Sequence, residues 1–184
     1  MRTLLSLVLF LIFGVPLCAQ PKPKPPKHDL ANAKEGDWVE YDMTFTISGK
    51  PHTGVYKATV TGFCAGGLQM SVSNPMDTRI CKCPTIVPLT PGGQMFASPS
   101  DPAFVFTKGK STDDKIKVNG KEYETVCTEY SVVYNTKLKT TGTTKIWKSK
   151  DNQFPIYVES TVLALGGKET FTYTYELKNS GSKK

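Results

Sequence analysis

The sequence predicts a mainly β protein: an antiparallel meander sheet curved into an incomplete, half-barrel form, with few or no helices beyond the leader. Three observations predict it. Apolar and polar residues alternate at period two through most of the 184 residues. Turn-forming pairs, Asn119-Gly120 above all, separate the alternating runs. Outside the leader, no stretch of helical length carries a 3.6-residue apolar period.

The elements follow in chain order. Met1-Arg2 is a positive start, Leu4 to Val15 is apolar, and Leu17-Cys18-Ala19 is a small-residue exit. Residues 1–19 therefore read as a secretory signal peptide cleaved after Ala19. Leu17 argues against lipidation at Cys18, because a lipobox wants a small residue there. Residues 20–33 form a Pro/Lys-rich linker, extended because its prolines fix φ and its lysines repel one another. A single β domain is expected over 34–179, and a flexible basic tail over 180–184.

Within the domain, Val39, Tyr41, Met43, Phe45 and Ile47 alternate with Glu40, Asp42, Thr44 and Thr46 on a first strand. Ser48 to Pro51 supplies a turn. Gly54 to Phe63 is a second strand, and Leu68, Met70 and Val72 mark a third. Arg79 to Cys83 is a short fourth. Residues 84–106 hold five prolines and predict an irregular crossing loop, since proline cannot donate to a ladder. Ile116 to Val118, Asn119-Gly120 and Lys121 to Tyr134 form a hairpin with a type I′ turn. Thr143 to Lys148 is a further strand. Pro155 to Leu165 and Lys168 to Lys178 make the last hairpin, turning at Gly166-Gly167. Eight or nine strands result, apolar on one face and rich in threonine, lysine and glutamate on the other, as in a sheet wet on one side.

The charge excludes one class of function. The net charge is +7, but Arg2, Lys22, Lys24, Lys27, Lys183 and Lys184 lie in the leader, linker and tail. Without those six of 23 basic residues, and with Asp29 also in the linker, 17 basic residues face 15 of the 16 acidic ones, so the folded part is near neutral. A nucleic-acid protein carries its basic excess on a folded face, so no nucleic-acid partner is expected.

Little catalytic chemistry is available. His28 and His52 are the two histidines, in the linker and in a turn, and neither has a nucleophile beside it. Glu122 with Glu124, and Glu40 with Asp42, are i,i+2 carboxylate pairs on a strand face. A hydrolase acting through two carboxylates is the remote alternative they leave open. No cofactor and no metal are expected. The cysteines Cys64, Cys81, Cys83 and Cys127 form an even set in an exported chain, which predicts disulfides of unknown pairing. Cys81 and Cys83 share a strand face and are expected to pair with Cys64 and Cys127 in either order.

Gly36-Asp37-Trp38-Val39-Glu40-Tyr41, the segment from Val118 through Cys127-Thr128-Glu129-Tyr130, then Lys145 to Ser149, Phe154 to Tyr157 and the terminal hairpin follow one order. That order resembles small exported proteins of unknown function in the lipoprotein-localisation-factor-like superfamily. The resemblance implies a half-barrel whose concave face can cradle an acyl chain or an apolar partner. Tyr41, Trp147, Tyr157, Phe171, Tyr173 and Tyr175 are then the candidate ligand-lining residues. The expectation is an exported, non-enzymatic binding or envelope protein, secreted or periplasmic. Its partner would be a lipid, another apolar ligand or an envelope protein, with membrane attachment only if the leader is retained or Cys18 is lipidated. The alternative is a structural or protein-interaction β domain with a filled core.

Overall fold

The computed structural model describes residues 30, 32–47, 49–64, 67–73, 85–87, 104–134, 140–164 and 168–182. The signal peptide, Cys18, most of the linker, the strand expected at Arg79 to Cys83, and the Gly166-Gly167 turn lie outside them. The described strands are β1 (Asp37–Ile47), β2 (Lys50–Cys64), β3 (Gly67–Ser73), β4 (Thr85–Val87), β5 (Phe104–Val118), β6 (Lys121–Tyr134), β7 (Thr140–Ser149), β8 (Tyr157–Ala164) and β9 (Glu169–Ser182). They form one antiparallel sheet, ordered β4-β3-β2-β1-β9-β8-β7-β6-β5, with no helix among the described residues. The sheet is open between β4 and β5, which is the expected half-barrel.

Register decides the faces. Met43 stands opposite Tyr175, Tyr175 opposite Val158, and Val158 opposite Ile146. These residues, with Tyr41, Val39, Tyr56, Val60, Leu68 and Met70, are all buried. This face is called inner below. Asp42, Glu176, Tyr157 and Trp147 form a parallel row on the outer face.

Two segments complete the core. Leu30 and Ala33, expected in the linker, are buried, and the Ala33 amide donates to Leu30 O at 3.0 Å. An apolar pair three residues apart makes a turn that covers core surface, which the proline-rich neighbourhood hid. After β7, Phe154 and Ile156 are also buried, and the Ile156 and Leu177 amides donate to Trp147 O and Ile156 O. The fully buried Tyr41 hydroxyl donates to Pro155 O at 3.0 Å, tying β1 to this connection.

Several boundaries differ from the expectation. β2 begins at Lys50, so Pro51 sits inside it, opposite Thr46. Ile47 and Lys50 close a two-residue turn, and the next pair in a hairpin makes no ladder bonds, so the missing proline N–H costs nothing. β5 starts at Phe104, within the expected loop, and Thr85 to Val87 pairs with β3. Lys108 to Lys115 lacks apolar alternation because β5 is an exposed edge strand, where lysines and a bulge discourage further pairing. β9 runs on to Ser182, so Ser180 to Ser182 belong to the sheet and not to a flexible tail. Here the backbone does the work: Lys178 is bulged out, and Asn179 to Ser182 then pair with Glu40 to Asp37.

The β5–β6 hairpin closes on the type I′ turn expected. Asn119 and Gly120 have φ of 51° and 80°. The Asn119 Nδ2 donates to Leu177 O on β9 at 2.8 Å. β9 lies three strands from β6 and four from β5, about 14–19 Å if the sheet were flat. The sheet and its β5–β6 hairpin must therefore curl for the contact to form.

Candidate functional site

The inner face changes character across the sheet. From β3 to β8 it is apolar and filled by its own side chains. Ile146 on β7 and Tyr130 and Val132 on β6 continue the buried apolar surface, and toward the β5–β6 hairpin the face becomes polar and opens into two adjoining clefts. One, of about 510 Å³, lies between Lys108, Ser111, Thr128, Tyr130, Lys148, Lys150 and the Asn152–Gln153 corner. The other, of about 730 Å³, wraps the hairpin end, between Asp113, Lys115 and Glu124 of the inner face, Asp114 and Thr125 of the outer face, and the same Lys148–Asp151 segment. Both volumes fall in the range of small-molecule sites.

Sequence and register explain this lining. On β6 the inner-facing residues are Val132, Tyr130, Thr128, Val126 and Glu124, a series that turns from apolar to acidic toward the hairpin tip. Opposite Thr128 on β5 is Ser111, and the two hydroxyls share a hydrogen bond of 3.0 Å. Lys115 and Glu124 form an exposed ion pair at 3.1 Å. The Trp147 Nε1–H, on the outer side of the rim, donates to Asp114 Oδ2 at 2.7 Å. These residues were missed as a site because the Lys108–Lys115 stretch of β5 carries no apolar alternation. The polar drift of the even-numbered β6 residues was the signal that could have found them.

One carboxylate pins the cleft's neighbourhood. Asp37 is buried, accepts the Lys34 amide at 2.7 Å and accepts the Ser182 hydroxyl. Burial alone would raise its pKa. The Ser182, Lys34 and Gln153 groups around it, with the Lys34 charge, outweigh that and hold it below the ordinary 3.8. Asp37 thus joins the turn that precedes β1 to the end of β9.

The six aromatic candidates do not line one groove. Tyr41, Phe171, Tyr173 and Tyr175 share the inner face. Trp147 and Tyr157 lie on the outer face, in a T-shaped contact at 5.2 Å. The two sets were indistinguishable in sequence because each strand alternates on its own, and only cross-strand register relates their faces. On the inner face, Tyr41 is fully buried and Tyr175 nearly so, and their rings meet edge to face at 6.2 Å with Tyr56 beside both. Burial drives all three phenols well above the ordinary 10, so they stay neutral. Tyr173 and Phe171 are half-buried toward the β8–β9 turn.

Cys64 and Cys127 carry free thiols. They lie on β2 and β6, with β1, β9, β8 and β7 between them, so the sheet keeps them from pairing with each other. Cys81 and Cys83, their expected partners, lie outside the described residues. Burial, then the nearby Asp114, pushes the Cys127 thiol up, which disfavours a reactive thiolate.

Three of the four paired carboxylates, Glu40, Asp42 and Glu124, meet lysines. Glu40 meets Lys57 at 2.9 Å, and that contact holds its pKa below the ordinary range. Lys178 meets Asp42 at 3.2 Å and Glu40 at 3.7 Å. Glu122 and Glu124 are exposed on β6. His52 is exposed and stacks on Phe45 at 5.0 Å. Among the described residues, no group of three His, Cys, Asp or Glu side chains is placed to hold a metal ion. No protein-family model matches the chain, and no curated protein or solved structure matches it either.

Proposed function

We propose that this chain is an exported, non-enzymatic binding domain with a filled core, and that its ligand or partner meets the polar clefts of β5 to β7. One observation carries this reading: the apolar inner face is occupied by the protein itself. Tyr41, Met43, Leu68, Met70, Ile156 and Val158 are each at most 1% exposed. An acyl chain could enter there only by displacing packed side chains, each worth about 1.5–3 kcal/mol of burial. The clefts offer what the apolar face lacks, namely open volume and a varied set of charges and hydroxyls. The open, curved sheet is also the architecture that the half-barrel resemblance implies.

A second reading keeps the apolar ligand but moves it. Phe45, Phe171 and Tyr173 are half-buried on the inner face toward the β1–β2 and β8–β9 turns. A short apolar group could rest on that edge of the core.

Lipid extraction and mass spectrometry of the purified protein test the first reading. The expected result is no acyl chain near one per protein, and a stoichiometric lipid would overturn it. Amide-shift mapping with octyl glucoside tests the second. Shifts centred on Phe45, Phe171 and Tyr173 support it; their absence rejects it.

A further inference from the structure

The Asn119-Gly120 turn does more than close a hairpin. Asn119 and Gly120 are exposed, and a Cβ placed on Gly120 would meet nothing within 4 Å. The Gly120 N–H has no hydrogen-bond partner among the described residues. A glycine nitrogen without a side chain to shield it follows directly on an exposed asparagine. The same amide holds the hairpin down, because the Asn119 Nδ2 donates to Leu177 O at 2.8 Å. The hairpin it holds forms one wall of the larger cleft, through Asp113, Asp114, Lys115 and Glu124.

We infer that Asn119 is a self-modification site, and that its deamidation unlatches the β5–β6 hairpin from β9 and loosens the wall of the polar cleft. The chemistry needs only water and hydroxide. The deprotonated Gly120 nitrogen attacks the Asn119 Cγ. The Cγ–Nδ2 bond breaks and ammonia departs with a proton from water, leaving a five-membered succinimide. Water then adds to either ring carbonyl, giving an aspartyl or an isoaspartyl residue. No electron is transferred, and the balance is one water gained and one ammonia lost.

The structural effect follows from donor count. An amide nitrogen donates to Leu177 O; a carboxylate can only accept. Two acceptors would face each other where one hydrogen bond stood, so the contact turns from attractive to repulsive. The isoaspartyl product also adds a methylene to the backbone of a two-residue turn, whose geometry fixes the strand register.

The test incubates the purified full chain in mildly alkaline buffer and follows it by peptide mapping. Asn179, which precedes Ser180 in β9 and whose Oδ1 accepts the Ser180 amide, is the internal reference. Conversion at Asn119 ahead of Asn179 is expected; equal or slower conversion overturns the modification site. Hydrogen exchange is then measured on the converted protein and on Asn119→Asp, which needs no ageing. Amides from Lys115 to Glu124 should exchange about fivefold faster in both, the effect of losing one net hydrogen bond. Unchanged exchange in the converted protein overturns the latch even if the modification occurs. If Asn119→Asp fails to fold, the aged wild-type protein alone decides.

Discussion

Removing one oxygen atom tests how the core is tied together. In Tyr41→Phe the ring stays and only the hydroxyl goes. Tyr41 is 0% exposed, and its hydroxyl donates at 3.0 Å to Pro155 O, itself buried in the connection between β7 and β8. The variant keeps the apolar area, so the transfer term barely changes. What changes is that a buried carbonyl loses its donor where no water can replace it. Stranding a buried polar group costs about 1–3 kcal/mol. For a domain of this size, each kcal/mol lowers the melting temperature by about 2–4 °C. Tyr173→Phe is the control: its ring is half-buried on the same face and its hydroxyl holds no hydrogen bond among the described residues, so its effect should stay within about 0.5 kcal/mol. Urea unfolding of the three proteins, fitted with a common slope, gives both differences. If Tyr41→Phe costs no more than Tyr173→Phe, the Tyr41 hydroxyl does not hold the β7–β8 connection, and the account of how Phe154 and Ile156 reach the core fails.

Three further outcomes follow from the same geometry. The folded-state pKa of Asp37 is lowered, so its contribution to stability is present above the ordinary 3.8 and is lost as pH falls through the lower folded value. Urea midpoints measured from pH 7 to pH 2 should show that acid loss, and Asp37→Asn should flatten it while lowering stability at neutral pH. A Cβ at Gly142 would run into the Thr161 backbone oxygen across β7 and β8, so Gly142→Ala should cost about 1–3 kcal/mol in thermal unfolding. Trp147→Phe removes the donor to Asp114 and should cost about 1–2 kcal/mol by urea unfolding, because Asp114, at the rim, can be rehydrated.

How legible was this molecule before its structure? The strands were legible where one face is buried. Val39, Tyr41 and Met43 against Glu40 and Asp42 state a half-buried strand in plain alternation, and Asn119-Gly120 states its turn. Legibility failed in the stretches held by backbone alone. Lys108 to Lys115 pairs with β6 without an apolar residue to announce it, and Asn179 to Ser182 joins β1 on ladder bonds and one buried aspartate. The same limit explains the site. Tyr157 and Tyr175 look alike as strand aromatics, yet register puts one outside and one in the core, and register is a relation between strands that no single run of residues contains. The polar clefts are the product of such relations three times over: β5, β6 and β7 must pair in one register before Lys108, Thr128 and Lys148 share a wall. Groups that act by burial are written in local pattern, and groups that act by meeting across strands are written only in the pairing. That is why the alternating strands could be read in advance, while the choice of buried face and the polar clefts had to be found from the sheet.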